Sequence, residues 1–232
     1  MKKIGIIGAM DEEVHILKGQ MTGVQVKSIA SMDFNEGSLQ GHEVVVVRCG
    51  IGKVNAAVCT QILVDLFHVD AVINTGVAGS LRNEIDIADI VLSTDTQQHD
   101  MDATGFGYPA GVIPRMEASI FPADERLITL AKDACMEVIP EVGVHTGRIV
   151  SGDQFISDSD KKAWLIDQFD GYCTEMEGAA IAQAAYLNQI PFLIIRAISD
   201  KADHSAEMSY KEFEEIAIRN TVKLLNGLIA KI

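Results

Sequence analysis

Three consecutive carboxylates, Asp11, Glu12 and Glu13, follow closely on the first apolar run of the chain, which reaches a glycine at position 8. An apolar run that ends in glycine often leads into a phosphate-binding loop, but carboxylates repel phosphate. Acids at a helix start favour the positive end of its dipole, which explains Asp11 and Glu12. For Glu13 the pattern leaves two interpretations open, a helix-start residue or a residue that does chemistry.

Further charged residues interrupt apolar surroundings in the second half of the chain. Glu175 and Glu177 flank Met176 in TEMEG. Extended backbone would put both carboxylates on one face, whereas a turn would divide them. Asp200 ends the apolar run PFLIIRAISD, where it is either a helix cap or a buried acid. Arg196 lies inside that run, and a guanidinium among isoleucines needs an acid partner.

Two separated carboxyl groups can work as a general acid and a general base, as they do in inverting glycoside hydrolysis. Breaking a glycosidic bond builds positive charge on the sugar and negative charge on the leaving group. An acidic site therefore favours the transition state and a neutral water nucleophile. Asp200 would act as an acid near neutral pH only if burial raised its pKa or if it shared a proton with the leaving group.

Glycine-rich turns and one aromatic residue could form pocket walls. GIG at 50–52, followed by Lys53, lacks the third glycine of a dinucleotide loop and the ending of a phosphate loop, so it indicates a tight strand-to-helix turn. In TGVAG at 75–79, small residues let backbone amides approach a ligand. Phe155 is either a core residue or a ring that stacks on a planar base. His99 precedes two acids, but no second histidine follows at metal-ligand spacing.

Alternating apolar runs and helical patterns position these residues. The continuous β-branched runs predict strands that are covered on both faces, at Lys3–Gly8, Glu43–Arg48, Ala71–Thr75, Ile90–Thr94, Val144–Val150 and Phe192–Ile198. A hairpin is predicted over 24–39, with its turn near Asp33-Phe34-Asn35. Helical stripes predict helices at Lys53–Phe67, Asp124–Val138 and Gly178–Leu187, and a last helix from Tyr210 with Ser209 and Glu212 as its capping box.

This alternation predicts an α/β fold, a single domain over residues 1–232 with three layers, in which helices flank a central mixed, largely parallel sheet. In such sheets ligands bind beyond the carboxyl ends of the strands, so the residues that follow each apolar run should meet at one edge. The segment from about 98 to 122 lacks a predicted element, and a loop of that length is usually functional or part of an interface.

The composition of the chain limits the kinds of partner that it could bind. The chain has 232 residues and a formal net charge of −14, so nucleic acid and anionic membranes would repel it. No apolar run approaches the roughly 18 residues that cross a bilayer, and the short N-terminal run ends in acids rather than at a cleavage site. The four cysteines show no paired or metal-type spacing, which favours reduced side chains in a cytoplasmic protein.

The chain contains, in this order, seven motifs: IGIIGAMDEEV, CGIGKVNAA, INTGVAG, HDMDATGFGY, VSGDQFI, EMEGAA and RAISD. Together they resemble the 5′-methylthioadenosine/S-adenosylhomocysteine nucleosidase family of the purine nucleoside phosphorylase superfamily. The resemblance covers essentially the whole chain. It implies hydrolysis of the N-glycosidic bond of both named nucleosides and of 5′-deoxyadenosine, with water as nucleophile and release of adenine, in methionine salvage. It also implies a homodimer that uses no cofactor and no metal.

The resemblance assigns roles to individual residues. Glu13 matches the base that activates water, and Asp200 matches the acid that assists protonation of adenine N7. Glu177 matches the residue that holds the ribose hydroxyls, Phe155 the aromatic that stacks on the base, and Arg196 the arginine near the water. The other implied substrate-binding residues are Met10, Ile51, Val77, Gly79, Ile156, Glu175, Met176, Ser199 and Tyr210. The partner subunit's Ala103, Phe106 and Pro114 would reach the same pocket.

One position departs from the family pattern, and three alternatives remain. Family members often have a hydroxyl residue where this chain has Val77, so the water would rely on Glu13 and Arg196. A phosphorylase of the same fold would need basic residues after the first strand, where this chain has acids, and Arg82 near the second glycine loop stands alone. A hydrolase of another nucleoside, such as futalosine, would need a less apolar 5′ pocket. A non-catalytic nucleoside sensor would lack one of Glu13, Glu177 or Asp200, and all three are present.

Overall fold

A mixed β-sheet forms the centre of the molecule. The structure is a computed structural model that describes residues 2–204 and 206–232, apart from the side chains of 207–212. The strands are β1 (Lys3–Gly8), β2 (Thr22–Ile29), β3 (Met32–Leu39), β4 (His42–Arg48), β5 (Ala71–Ser80), β6 (Ile90–Gln98), β7 (Ile120–Pro122), β8 (Val144–Ser151), β9 (Cys173–Glu175) and β10 (Phe192–Asp200).

Part of this sheet closes on itself. Strand β5 pairs with β10, and the sheet continues through β6, β8 and β9 back to β5, so that these five strands form a ring. From β5 the sheet also extends through β1 and β4 to the hairpin of β3 and β2. The predicted α/β class with a central mixed sheet is confirmed. Parallel and antiparallel pairs are equally common among the described strands, so the sheet is more evenly mixed than the sequence predicts.

Helices flank the sheet and cover it on both faces. They are α1 (Asp11–Gln20), α2 (Lys53–Phe67), α3 (Glu125–Val138), α4 (Ser159–Phe169), α5 (Gly178–Leu187) and α6 (Ala206–Ile229). Helix α2 packs on α5, whereas α1 and α3 pack on α6. All nine residues of β10 are buried, as expected for a continuous apolar run between two helical layers. No helix in the described part of the chain is long and apolar enough to span a bilayer.

The predicted bounds of the helices agree closely with the structure except at the last helix. Asp124 is the cap of α3, where its side chain accepts a hydrogen bond from the Leu127 amide at 2.8 Å. Helix α6 begins at Ala206, so the predicted start at Tyr210 is wrong and Ser209 lies inside the helix. The side chains of the predicted capping box, Ser209 and Glu212, lie outside the described residues.

The predicted hairpin is present, but its turn lies earlier than the sequence indicates. The turn residues are Ala30 and Ser31, whose φ angles of 50° and 61° are both positive. Neither residue type signals such a turn, which asparagine and glycine usually form. Phe34, predicted near the turn, instead lies within β3, where its ring stacks on Phe67 at 4.9 Å between centroids.

The strand ends bring distant segments to one edge, as predicted. Asp200 at the end of β10 lies beside Gly79 in β5, and Thr174 in β9 pairs with the same glycine. Ser151 at the end of β8 lies beside Glu175 at the end of β9. The segment from 98 to 122 is largely irregular between β6 and β7, with one short 3-10 helix at Thr104–Phe106.

Candidate active site

A pocket of about 220 Å³ opens at the edge where these strands end. A concave pocket with apolar walls and a few polar groups is the usual form of a small-molecule site. The predicted site residues that line it are Met10, Glu13, Ile51, Val77, Gly79, Phe155, Ile156, Glu175, Met176, Glu177, Ser199 and Asp200. The pocket therefore combines several carboxylates with apolar walls.

Asp200 places its carboxyl group in the pocket wall at the end of β10. Its Oδ1 accepts a hydrogen bond from the Ala202 amide at 2.8 Å, and its Oδ2 accepts one from the Ser199 hydroxyl at 2.9 Å. Burial raises the pKa of Asp200 above its usual value, because desolvation disfavours the charged form. Helix α6 begins only at Ala206, so the structure favours a buried acid over a helix cap.

Glu13 occupies the first turn of α1 and faces the pocket from the opposite side of the β5 strand end. Its Oε2 accepts hydrogen bonds from the amides of Ala9 at 2.6 Å and Met10 at 3.0 Å, and its Oε1 accepts one from Val77 at 3.3 Å. The helix-start interpretation thus holds for Oε2 of Glu13, while Oε1 contacts β5 at the pocket. Burial raises its pKa against the opposing effects of Arg196 and these amides.

Arg196 has the acid partner that the sequence predicts. Its Nη2 donates to Glu175 Oε2 and to Asn74 Oδ1, the latter at 2.6 Å, and Glu177 Oε2 lies 3.7 Å away. The residue is only 1 % exposed and does not line the pocket. Arg196 therefore acts on the pocket carboxylates from behind the wall.

A turn divides Glu175 from Glu177. Glu175 ends β9, where its Oε2 accepts from the amides of Glu177 at 3.0 Å and Gly178 at 2.8 Å, and its Oε1 accepts from the Ser151 hydroxyl. Burial opposes ionisation of Glu175, but Arg196 and these donors outweigh it and hold its pKa below the usual value. Glu175 therefore stays ionised and pairs with Arg196 as its counterion.

Glu177 is the carboxylate of this pair that titrates near neutral pH. Burial and the negative charge of Glu175 raise its pKa to about 7. Its Oε1 accepts a hydrogen bond from the Gly52 amide at 2.8 Å, at the start of α2. In its ionised form the remaining oxygen lone pairs of Glu177 can accept hydrogen bonds from a ligand in the pocket.

The second glycine loop of the sequence is part of strand β5, which extends from Ala71 to Ser80. A Cβ atom at Gly76 would collide with the Arg196 guanidinium and lie 2.6 Å from Glu13 Oε1, so this close approach requires glycine. Val77 presents its amide to Glu13 and carries no hydroxyl to hold a water.

Apolar side chains form the rest of the pocket. The Phe155 ring is 50 % exposed, which places it at the pocket wall rather than in the core. Ile156 beside it is buried, whereas Ile51 is more than half exposed at the pocket rim. A planar base could stack on Phe155, and the rim could accept an apolar substituent.

Besides Arg196, four predicted site residues lie away from the pocket or outside the described residues. The side chain of Tyr210 lies outside the described residues. Ala103, Phe106 and Pro114 do not line the pocket of their own chain. Phe106 is 88 % exposed on the irregular segment after β6.

Several contributors were not predicted. Ala9, Ala78, Gln154 and Thr174 line the pocket, and each lies next to a predicted residue in the sequence. Asn74 within β5, Ser151 at the end of β8 and Gly52 at the start of α2 bind the charged groups directly, and only Ser151 occupies a strand end that could have signalled it.

The described part of the chain contains no group of three or more histidine, cysteine, aspartate or glutamate side chains that could hold a metal ion. His99 is buried, and neither ring nitrogen has a hydrogen-bond partner in the structure. Its neighbour Asp100 pairs with Lys53. The four cysteines are free and buried.

Known proteins share this sequence and fold over their full length. A family model described as the phosphorylase superfamily matches residues 3–230. A 5′-methylthioadenosine/S-adenosylhomocysteine nucleosidase from Exiguobacterium is 44 % identical over 99 % of this chain and 98 % of its own. The nucleosidase of the same name from Neisseria meningitidis, in complex with methylthio-immucillin-A, has a TM-score of 0.96 and 39 % identity over the whole of both chains.

The fold is also shared with a protein of a different name. The native structure of futalosine hydrolase from Helicobacter pylori has a TM-score of 0.94 and 33 % identity, over 100 % of this chain and 98 % of its own. Fold alone therefore does not separate the two kinds of protein, whereas the higher identities go with the nucleosidases. This chain belongs to the 5′-methylthioadenosine/S-adenosylhomocysteine nucleosidase family of the phosphorylase superfamily.

Proposed function

We propose that this chain hydrolyses the N-glycosidic bond of 5′-methylthioadenosine and S-adenosylhomocysteine, and also that of 5′-deoxyadenosine. The products are adenine and the 5′-substituted ribose. One observation carries the proposal: two buried carboxyl groups with raised pKa values, Glu13 and Asp200, line one pocket from different strand ends. A raised pKa brings each group closer to neutrality, where proton transfer is most efficient.

The two groups have opposite tasks in this reaction. The bond between C1′ and N9 breaks with its electron pair moving to adenine, and Asp200 provides a proton at N7. Glu13 takes a proton from water as the water oxygen bonds to C1′. Glu177 accepts hydrogen bonds from the ribose hydroxyls, and Phe155 stacks on the base. The acidic surroundings stabilise the positive charge that develops on the sugar.

The β1–α1 turn supports water rather than phosphate as the nucleophile. Its amides, at Ala9 and Met10, already donate to the Glu13 carboxylate, so they are not available to an anion. Arg82 is held by Asp170 and by backbone carbonyl groups. The described pocket lining contains no lysine or arginine, which a phosphate site would need.

Product analysis tests this proposal directly. Purified protein incubated with methylthioadenosine should release adenine and free methylthioribose, at a rate that inorganic phosphate does not change. Mass spectrometry of the sugar product distinguishes the two reactions. Formation of a ribose 1-phosphate in the presence of phosphate would overturn the hydrolase assignment.

Futalosine hydrolysis is the second candidate, favoured by the likeness to the Helicobacter pylori protein. The rim residues Met10 and Ile51 are apolar, which suits a thioether better than the polar substituent of futalosine. Including futalosine in the same assay decides between the two, because we expect adenine release to be much faster from methylthioadenosine than hypoxanthine release from futalosine.

The working form that we propose is a cytoplasmic homodimer. Phe106 and Val54 expose 88 % and 75 % of their surface, and burial in a subunit interface would remove this apolar area from water. The partner subunit's Ala103, Phe106 and Pro114 would then reach the pocket. Four free cysteines fit a reducing compartment.

Light scattering should give twice the chain mass. Phe106→Ala should raise KM for methylthioadenosine. An enzyme that is active as a monomer would contradict the proposal.

A further inference from the structure

Three charged side chains join loops that are far apart in sequence, just outside the pocket. Lys53 Nζ pairs with Asp100 Oδ1 at 2.5 Å and donates to Gln98 Oε1 at 2.9 Å. The Asp153 amide donates to Asp100 Oδ2 at 2.9 Å, and the Lys53 amide donates to Asp153 Oδ1 at 2.8 Å. These contacts close a cycle through the start of α2, the end of β6 and the loop that carries Phe155.

The cycle holds the first turn of α2 in place. Gly52 and Lys53 are consecutive residues at that helix start, and no side chain of the helix itself caps it. Carboxylates from elsewhere take both amides instead, Glu177 at Gly52 and Asp153 at Lys53. A Cβ atom at Gly52, where φ is 97°, would lie only 3.0 Å from Asp153 Oδ1, so the two loops are in close contact.

We propose that Lys53, Asp100 and Asp153 form an ionic clasp that fixes the Gly52 amide against Glu177, and that they are thereby positioning residues for the ribose end of the pocket. The proposal rests on the proposed function, because it takes Glu177 as the ribose ligand. None of the three lines the pocket, so the clasp acts through the backbone of α2 and through the Phe155 loop.

The clasp is partly shielded from water, which makes its ion pair stronger than an ordinary surface pair. The side chains of Lys53 and Asp100 are 18 % and 17 % exposed. Partial burial of Asp100 opposes its ionisation, but Lys53 and the Asp153 amide outweigh this and hold its pKa below the usual value. A charged pair with backbone hydrogen bonds on both sides restricts the loops far more than a solvated pair would.

Loss of the clasp should change the ionisation of Glu177. The Gly52 amide favours the charged form of Glu177, so a displaced amide raises the pKa of that carboxyl further. The other charged and titratable groups that face Glu177 are the carboxylates of Glu175 and Glu13, the guanidinium of Arg196 and the thiol of Cys49. None of these belongs to the clasp, so they stay in place when it is opened.

The test compares Asp100→Asn, Lys53→Met and the double variant with wild type, using methylthioadenosine as substrate. Lys3→Met is the matched control, because Lys3 forms an ion pair of the same 2.5 Å length with Glu36 outside the pocket. We expect each clasp variant to raise KM about tenfold with little change in kcat. The hydrogen bond from the Gly52 amide to Glu177, which binds the ribose, is lost equally in the ground state and in the transition state. The acidic limb of kcat/KM should move to higher pH.

The pattern of results separates positioning from general destabilisation. A variant that merely unfolds loses activity at all pH values without moving the limb. If the residues act as one clasp, the double variant is no worse than the poorer single variant. The proposal is overturned if both single variants keep the wild-type KM and the wild-type acidic limb. It is also overturned if the effects of the two single substitutions on KM multiply in the double variant.

A second readout does not depend on turnover. The NMR signal of the Gly52 amide should shift with pH as Glu177 ionises. Asp100→Asn should move the midpoint of this shift to higher pH and should reduce the protection of the Gly52 amide from hydrogen exchange. An unchanged Gly52 signal in both single variants would refute the clasp. Absence of adenine release by wild type would instead refute the proposed function, whatever this amide shows.

Discussion

Asp200→Asn should lower kcat for methylthioadenosine by about 10² to 10⁴, the usual range for loss of a general acid, while KM changes little. The amide has nearly the same shape as the carboxyl group but cannot give up a proton to adenine N7. The local hydrogen bonds survive, because the amide oxygen can accept from Ala202 and the amide nitrogen can donate to the Ser199 hydroxyl. The melting temperature should therefore stay close to that of wild type.

A substrate with a better leaving group distinguishes an acid from a residue that only binds. The 4-nitrophenyl glycoside of 5-methylthioribose releases a phenolate that needs no protonation. Asp200→Asn should hydrolyse it at nearly the wild-type rate, although it fails with methylthioadenosine. Equal loss on both substrates would remove Asp200 from the role of acid. The Ser199→Ala variant serves as a control for the local hydrogen bonds without loss of the carboxyl group.

The raised pKa of Asp200 also predicts the alkaline limb of the pH profile. Asp200 works while it holds a proton, so activity falls as pH rises through its pKa. Glu13 and Glu177 work when ionised, so activity rises with pH through theirs. The fall in kcat/KM as pH rises through the pKa of Asp200 should be present in wild type and absent from the small residual activity of Asp200→Asn, and an unchanged fall in that variant would contradict the assignment.

The sequence predicts the starts of the buried strands well, because continuous β-branched runs have few alternatives in a globular protein, but β5 and β6 continue past their predicted ends at Thr75 and Thr94. The bounds of β1 agree with the prediction, and β10 continues the predicted run to Asp200. Glu13 and Asp200 could be placed at one edge from those runs and the rule for ligand position in such sheets. Asp11 and Glu12 are exposed at the start of α1, as the helix-dipole interpretation expects.

Elements with few buried residues escape the same reasoning. Helix α4 buries only Leu165 and Phe169, which is too little periodicity to identify it. Its start depends instead on the Asp158 side chain, which accepts from the Lys161 amide. Strand β2 is almost entirely exposed, and the sequence locates it only as one arm of the predicted hairpin, with the turn misplaced.

The electrostatics of the site depend on contacts between residues that are far apart in the chain, which the local sequence does not predict. The spacing of Glu175 and Glu177 could not decide whether they share a face, because the turn at Glu177 and the reach of Arg196 decide it. The Gly52 amide that contacts Glu177 is 125 residues away in the chain. Opposite pKa shifts in two similar carboxylates follow from these contacts, and only the folded chain assembles them.

Glu13→Gln should lower kcat by a similar factor, about 10² to 10⁴, because it removes the base that takes the proton from water. The structure predicts how the amide will sit. Its oxygen will keep the two donors of the β1–α1 turn, at Ala9 and Met10, which need an acceptor. Its NH₂ group then replaces Oε1 and faces the Val77 amide, donor against donor. The water thus loses both its base and its acceptor.

The 4-nitrophenyl glycoside gives the opposite result for this variant, and the contrast assigns the two roles. Attack by water is required whatever the leaving group, so Glu13→Gln should be slow on both substrates, whereas Asp200→Asn is slow only with the purine. The matched control is Glu12→Gln, which neutralises the adjacent exposed carboxylate of the same helix turn and should keep the wild-type rate. A Glu13→Gln enzyme with near-normal turnover of methylthioadenosine would show that its carboxylate only caps α1, and that another group activates the water.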